Sequence, residues 1–196
     1  MPEVVIKLGG SLLAQVEQLD GVLAAIALAA RTRRLLIVPG GGPFADAVRD
    51  VDRRVGLSDR TAHWMAVLAM DQYAHLLAAR VPGGALVTTA RGATRVLDAA
   101  GVPVLAPSRW LSETDPLPHS WNVTGDSIAA WVAGQVHARA LILVKAPGAT
   151  GDDVVDRHFA RIVPAHLVPI VVPADRAAAA LAQIASGAWR PVLETT

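Results

Sequence analysis

Short apolar runs rich in β-branched residues alternate along this chain with longer stretches rich in alanine and leucine. The runs Val4–Leu8, Leu35–Val38 and Leu141–Val144 show this best, because they lack the regular polar alternation of a half-exposed strand. Strands without that alternation are typical of sheets covered on both faces. Strands that alternate with helices indicate βαβ units and a mainly parallel sheet. The sequence therefore predicts an α/β fold, a three-layer α/β/α sandwich.

The predicted element boundaries follow from hydrophobic periodicity and from the glycine, proline and serine residues between segments. Ser58 is the predicted N-cap of the longest helix, and Gly101 is predicted to end a short helix. Residues 107–118 are predicted to form a loop, and residues 145–163 a loop or hairpin over the strand ends. The predicted strands are 4–8, 35–38, 85–88, 102–106, 141–144, 169–172 and 191–194. The predicted helices are 12–30, 43–55, 59–80, 94–100, 122–137 and 175–185.

Length and composition narrow the class of protein. A chain of 196 residues predicts a single domain, residues 1–196, and 53% hydrophobic residues argue against a disordered segment. The formal net charge of +1 and the lack of a dense basic patch disfavour nucleic acid and membrane partners. The absence of cysteine excludes disulfides, thiolate metal sites and cysteine nucleophiles. No export signal is visible at the N-terminus, so the expected location is the cytoplasm.

Two glycine-rich turns follow the first two predicted strands. The first is Lys7-Leu8-Gly9-Gly10-Ser11 and the second is Pro39-Gly40-Gly41-Gly42-Pro43. Glycines let backbone N–H groups approach an anion without a Cβ in the way, and the helix that follows adds unpaired donors. Either turn alone could be purely structural, but two on one sheet edge suit a donor and an acceptor phosphate. Neither a P-loop motif nor a dinucleotide-binding G-x-G-x-x-G motif occurs.

The lysines are the second distinctive feature. The chain contains 16 arginines but only two lysines, Lys7 and Lys145, each at the end of a predicted strand. Burying a lysine at the end of a strand costs free energy unless an anion pairs with it, so an anionic ligand is indicated. Phosphoryl transfer requires aligned phosphates and neutralised charge rather than covalent catalysis by the protein. Two lysines together with backbone donors match that requirement.

Asp126 has two interpretations. It lies near the start of a predicted helix, whose N-cap is either Asn122 or Thr124, and a carboxylate there stabilises the helix through the macrodipole. Alternatively, Asp126 holds Lys7 and Lys145 in place between two phosphates, because charge-assisted hydrogen bonds are strong and orienting.

These residues resemble the amino acid kinase family over roughly residues 3–151. The shared pattern is K-x-G-G-S at the first strand, a G-G-G turn after the second, and a late G-D helix start followed by a strand-end lysine. The resemblance implies an eight-stranded, mainly parallel sheet, a homo-oligomer, and the use of ATP and Mg²⁺, with the magnesium held by ATP phosphates rather than by protein ligands. It implies that Lys7 and Lys145 neutralise the transferring phosphoryl group and that Asp126 organises them. By the same resemblance, Gly9, Gly10 and Ser11 bind ATP phosphates, and Gly40, Gly41, Gly42, His63, Asn122 and Thr124 bind the acceptor.

Within the family, the segment Ser58–Tyr73 resembles a subgroup that phosphorylates aminomethylfuranylmethyl phosphate in methanofuran biosynthesis. That likeness implies a small phosphorylated acceptor and a diphosphate product. An aromatic acceptor would stack on Trp64 or Tyr73. The alternative is that His63, Trp64 and Met65 only pack one helix face against the sheet.

The C-terminal part departs from the family pattern. Residues 1–139 correspond to the acceptor-side part, whereas residues 140–196 form a shortened nucleotide-side part. Asp152, Asp153 and Asp156 there either assist magnesium or the ribose, or are solvated loop charges. Three functions therefore remain open: a kinase of a phosphorylated metabolite, a kinase with a carboxylate, carbamate or alcohol acceptor, and a non-catalytic nucleotide or oxyanion binder.

Overall fold

The computed structural model describes residues 1–148, 155–167 and 169–187. Strands and helices alternate along the chain, as the sequence predicts. The strands are β1 (Val4–Leu8), β2 (Leu35–Pro39), β3 (Gly84–Val87), β4 (Val102–Leu105), β5 (Ala140–Lys145) and β6 (Pro169–Pro173). The helices are α1 (Val16–Ala29), α2 (Gly42–Val55), α3 (Asp59–Arg80), α4 (Ala90–Asp98), α5 (Ser108–Thr114), α6 (Gly125–Gln135), α7 (Phe159–Ile162) and α8 (Ala177–Ser186). Two short 3₁₀ helices, Gly10–Ala14 and Ala174–Arg176, precede α1 and α8.

The six strands form one sheet in the order β3-β4-β2-β1-β5-β6, and every neighbouring pair is parallel. This confirms the predicted α/β class and the parallel sheet. Within the described ranges the sheet has six strands rather than the eight that the family resemblance implies. The predicted strand 191–194 lies outside the described residues.

Helices cover both faces of the sheet, which explains why its strands lack polar alternation. One apolar cluster joins one face of the sheet to α1, α8 and the C-terminal half of α3. A second cluster joins the other face to α4, α6 and α7. Every residue of β1 and β2 is buried, so Lys7 is a charged residue inside a fully covered strand. None of the helices in the described part of the chain has the length and hydrophobicity needed to cross a membrane.

Side-chain caps account for where several helices begin. Ser58 caps α3 as predicted, because its Oγ accepts a hydrogen bond from the Thr61 N–H at 3.2 Å. Thr124 rather than Asn122 caps α6, and Asn122 lies outside that helix. The prediction that the fourth helix begins near residue 94 is wrong, since Thr89 accepts from the Gly92 N–H and α4 starts at Ala90.

Two further boundaries differ from the predictions. The predicted helix 12–30 is interrupted, because Gln15 has non-helical backbone angles (φ −129°, ψ 71°) between the 3₁₀ helix and α1. The predicted loop 107–118 contains helix α5, which buries Leu111 in the second apolar cluster. Local turn chemistry therefore sets the helix starts, while tertiary packing retains α5 in a segment rich in proline and serine.

Candidate active site

The sheet order brings three chain segments to one edge. β1 lies between β2 and β5, and Lys7 is level with Val38 on one side and Leu143 on the other. Because all three strands are parallel, their carboxyl ends meet at the same edge of the sheet. The chain runs from β1 outward to one side and returns through β5 on the other side, so β1 marks the reversal of strand order. Ligands of open parallel sheets bind at such a point.

Two lysines and one aspartate meet at this edge. Lys7 Nζ lies 2.9 Å from Asp126 Oδ1, and Lys145 Nζ donates a hydrogen bond to Asp126 Oδ2 at 2.6 Å. The Lys7 contact is an ion pair without good hydrogen-bond alignment, since no aligned donor is directed at Oδ1. The side chains of Lys7, Asp126 and Lys145 are 7%, 5% and 14% exposed. The predicted convergence of the two ammonium groups is therefore present, and Asp126 links them.

The pKa values describe the charge balance of this triad. Burial opposes ionisation of Asp126, but Lys7 and Lys145 outweigh it and hold the pKa of the Asp126 carboxyl below its ordinary value. Burial and the nearby Lys7 lower the pKa of the Lys145 ammonium, although Asp126 acts in the opposite direction. Two cations share one carboxylate, so the triad keeps an excess of one positive charge. An added anion would relieve the repulsion between the lysines.

Glycines are required because three turns pack against one another at this edge. A Cβ on Gly10 would overlap the backbone of Gly42, and a Cβ on Gly40 would lie 2.8 Å from the Gly10 nitrogen. A Cβ on Gly125, at the start of α6, would lie 3.3 Å from Lys7 Cε and 3.2 Å from the Gly40 Cα. Gly42 also has a positive φ of 54°. The glycines thus serve turn-to-turn packing as well as the anion access that the sequence suggests.

An open cleft of about 620 Å³ lies above the triad. Both glycine turns and the start of α6 contribute to its wall, so one space faces the lysines and both turns. Gly9 is not part of the wall, and its N–H donates to the Val144 carbonyl at 2.9 Å. The wall is formed by Lys7, Gly10, Ser11, Leu13, Ala14, Gly40, Gly41, Gly42, Pro43, Ala45, Asp46, Arg49, Thr124, Gly125, Asp126 and Lys145.

A small side pocket of about 50 Å³ adjoins the cleft. The two spaces share wall residues, including Arg49, Thr124 and Gly125. Most of the pocket wall is apolar, and His63 and Trp121 add two rings. The remaining wall residues are Gly41, Ala45, Ala66, Val67, Met70, Ser120, Val123 and Ile128.

Arg49 lines both the cleft and the pocket, and it lies against Trp121 of the pocket wall. The Arg49 guanidinium lies 4.8 Å from the centre of the Trp121 ring, and its Nη1 lies 2.7 Å from Asp46 Oδ1. The Trp121 ring is fixed by Asp52, which accepts a hydrogen bond from its Nε1 at 2.8 Å. Sequence reasoning missed Arg49. The available signal is its position about two turns into the helix that follows the G-G-G turn, since that helix starts at the same sheet edge.

Asp156 caps helix α6 from a distant part of the chain. Its carboxylate accepts hydrogen bonds from the backbone N–H and hydroxyl groups of both Thr124 and Ser127, at 2.5–3.0 Å. The interpretation of Asp156 as a solvated loop charge is therefore wrong, because its carboxylate binds the unpaired donors at a helix start. Asp152 and Asp153 lie outside the described residues.

The other predicted acceptor residues divide between two locations. His63 lines the side pocket, and Thr124 lines both pocket and cleft. Asn122 lines neither, and instead borders a separate surface depression beside Arg157 and Arg161.

The fold and this lysine-lined cleft agree with a known protein class. Residues 2–153 match the amino acid kinase family. This match covers well over half of the chain, and the protein belongs to the amino acid kinase family.

Particular relatives narrow the comparison. The chain is 29% identical over 139 residues to [5-(aminomethyl)furan-3-yl]methyl phosphate kinase of Methanocaldococcus jannaschii, which is 71% of this chain and 63% of that protein. The chain thus spans less than two thirds of that relative's length.

Solved structures of uridylate kinases share the fold. Uridylate kinase from Archaeoglobus fulgidus superposes with a TM-score of 0.69 at 18% identity, covering 93% of this chain and 96% of that one. UMP kinase from Bacillus anthracis superposes with a TM-score of 0.66 at 15% identity, covering 94% of this chain and 91% of that one. At identities this low, the likeness shows only that the fold is shared.

Proposed function

We propose that this protein is an ATP-dependent kinase that transfers the γ-phosphoryl group to the phosphate of a small ring-containing metabolite. In that reaction the bond between the γ-phosphorus and its bridging oxygen breaks, and an acceptor phosphate oxygen forms the new bond. The products are ADP and a diphosphate ester. The observation that carries the proposal is the buried Lys7–Asp126–Lys145 triad, with its excess positive charge, on the floor of an open cleft.

The triad suits phosphoryl transfer because the reaction depends on positioning and on neutralising phosphate oxygens. Asp126 holds both ammonium groups at one place, so no reorganisation is needed when phosphates arrive. Gly10 and Ser11 at the first turn would bind phosphates of the nucleotide. Gly40, Gly41 and Gly42 at the second turn would face the acceptor, since that turn also borders the side pocket.

The side pocket supports a small acceptor. Its volume of about 50 Å³ is far below the 300–1,000 Å³ typical of pockets for larger ligands. A five-membered ring would lie against the apolar wall and the Trp121 ring, whereas a nucleoside would require more space. Arg49, which lines both cleft and pocket, would pair with an acceptor phosphate, because guanidinium groups bind phosphate oxygens in a planar, bidentate manner. The name of the M. jannaschii relative fits this chemistry.

We place Mg²⁺ with the nucleotide phosphates. Within residues 1–148, 155–167 and 169–187, no group of three or more histidine, aspartate or glutamate side chains is arranged to hold a metal ion. Asp126 is already engaged by two lysines, so its oxygens neutralise ammonium groups rather than a metal. Magnesium would supply further charge neutralisation on the phosphate oxygens.

A direct assay tests the proposal. The protein is incubated with ATP, MgCl₂ and [5-(aminomethyl)furan-3-yl]methyl phosphate, with UMP, or with the unphosphorylated furan alcohol, and products are followed by ³¹P NMR. We expect a diphosphate signal and ADP with the furan phosphate only. Thermal unfolding is measured in parallel, because ATP at ~100 times its dissociation constant adds about 2.7 kcal/mol of stability.

Two outcomes would contradict the proposal in different ways. Transfer to UMP or to the free alcohol would move the acceptor to another class. Stabilisation by ATP without transfer to any acceptor would instead favour a nucleotide-binding protein on the same fold.

A further inference from the structure

His63 is part of an aromatic stack with His119 and Trp64. The rings of His63 and His119 are stacked, with centres 4.6 Å apart and planes inclined by 27°. Trp64 contacts both rings edge-on, at 5.3 Å from His63 and 5.9 Å from His119. His63 is buried and lines the side pocket, whereas the side chain of His119 is 19% exposed. The position of the His63 ring is therefore set by His119 and Trp64.

His119 is itself held by a carboxylate. Its Nε2 lies 2.8 Å from Asp115 Oδ1, four residues earlier in the chain. Asp115 follows helix α5 with a positive φ of 41°, and its backbone N–H donates to the Leu111 carbonyl at 2.7 Å. Since Leu111 and Leu117 are both buried in the second apolar cluster, Asp115 and His119 lie on a segment anchored at two points.

The two imidazoles have different charged neighbours. Two stacked rings cannot both carry a proton without repulsion. The carboxylate of Asp115 contacts the His119 ring directly. Burial and the neighbouring His119 lower the pKa of His63, and the more distant Asp115 opposes this weakly. Arg49, which also lines the pocket, adds a further positive charge to its wall.

We propose that Asp115 and His119 are positioning residues for acceptor recognition, which hold the His63 ring as an uncharged hydrogen-bonding partner in the wall of the side pocket. This inference rests on the proposed function, because it assigns the pocket to the acceptor. It also commits to acceptor chemistry: a planar ring that carries a neutral or cationic polar substituent toward His63, with its phosphate toward Arg49. An uncharged imidazole accepts a hydrogen bond from such a substituent, and the apolar wall accommodates the ring.

The test compares His119→Phe and Asp115→Asn with a matched control. Phenylalanine keeps the ring stack but removes the pairing with Asp115, and asparagine removes the charge. The control is Glu113→Gln, which removes another exposed carboxylate two residues earlier, in helix α5, where it pairs with Arg109 at 3.3 Å. Steady-state kinetics with ATP and [5-(aminomethyl)furan-3-yl]methyl phosphate are measured, together with ¹⁵N NMR spectra of the histidine side chains.

Both variants are expected to raise KM for the furan phosphate about tenfold, the size of one hydrogen bond, with kcat and KM for ATP changed less than about twofold. The His63 ¹⁵N signals should move in both variants and stay unchanged in Glu113→Gln. Equal loss of ATP and acceptor affinity, or unchanged acceptor KM, would overturn the proposal. If the parent protein transfers phosphate to no acceptor, the proposed function fails first. The His63 spectra then decide alone, and unmoved His63 signals in His119→Phe and Asp115→Asn would reject the positioning role.

Discussion

Two sets of ion pairs in this molecule have similar distances but different surroundings. In the cleft, Asp126 lies 2.9 Å from Lys7 and 2.6 Å from Lys145, and all three side chains are largely buried. On the surface, Arg80 contacts Asp20 at 2.6 Å, with side chains 41% and 49% exposed. The surface pair has balanced charges, whereas the cleft triad has two cations for one carboxylate.

The comparison separates a structural contact from a functional one. An exposed ion pair contributes little to stability, because water screens the charges and ordering two long side chains costs entropy. A buried ion pair is expensive to desolvate and often adds no net stability. A buried triad with unbalanced charge, below an open cleft, is therefore better explained by binding an anion than by holding the fold together.

Removing the shared carboxylate should have the largest effect. Asp126→Ala leaves two neighbouring buried cations without a partner, and losing one member of a buried ion pair costs about 3 kcal/mol or more. We expect a matching loss in the free energy of unfolding, measured by urea titration, together with loss of turnover. Unchanged stability would mean that water already screens the two lysines.

Removing one lysine should affect catalysis more than folding. Lys7→Met deletes one preorganised charge, and we expect turnover to fall about 10²–10³-fold. Lys145 remains paired with Asp126, so the circular dichroism spectrum should match the parent. A correctly folded Lys7→Met protein with parental turnover would exclude Lys7 from the mechanism.

Removing the Asp156 cap of helix α6 should have an intermediate effect on stability, smaller than loss of Asp126 and larger than loss of the surface pair. Asp156→Ala removes the acceptor for the donors of Thr124 and Ser127. Loss of an N-cap costs about 1–2 kcal/mol, and we expect that decrease in the unfolding free energy. Asp156→Asn keeps an oxygen that accepts hydrogen bonds, so this variant should be less destabilised than Asp156→Ala. If both variants are equally destabilised, the charge of Asp156 matters more than the hydrogen bonds.

Acid should remove the stabilising contribution of the triad. The pKa of Asp126 is lower in the folded protein than its ordinary value, so its contribution to stability is present above the unfolded pKa of about 3.9. That contribution is lost as the pH falls through the folded value, below about pH 4. Urea unfolding of the parent and of Asp126→Asn between pH 3 and pH 6 should converge at the acid end. A constant difference across this range would contradict the assignment.

The surface pair should give the smallest effect. Arg80→Met removes the contact with Asp20, and we expect no measurable change in turnover or in the thermal midpoint. This variant also serves as the control for Lys7→Met, since both replace a paired cation by methionine. A loss of turnover in Arg80→Met would remove the distinction between the two regions.

Much of the fold could be predicted from local patterns. The strands β1, β2 and β5 follow from continuous apolar runs, and Ser58 marks the start of α3 correctly. The start of α4 was missed because its first turn contains Gly92, a poor helix former, although Thr89 before it is a good cap residue. Helix α5 was missed because its stability depends on burying Leu111 against the sheet, which local composition does not reveal.

The part of the site that depends only on the order and direction of the strands was predictable, because a parallel α/β sheet brings its strand ends to one edge. Lys7 and Lys145 end parallel strands, so their meeting at one edge follows from the sheet itself. Arg49, the Asp156 cap and the His63–His119 stack were not predictable in this way. Each depends on side chains from segments far apart in sequence, whose approach is set by packing.

The sequence alone determined which residues are available at the carboxyl edge of the sheet, since strand ends and glycine turns are local features. Only the tertiary structure decided which of these residues contact one another. It assigned one carboxylate to two lysines, made the glycine turns contact each other, and stacked His119 on His63 in the wall of the side pocket. The physical reason is that side-chain partnership depends on distances of a few ångströms between distant segments, and those distances are fixed only when the layers pack.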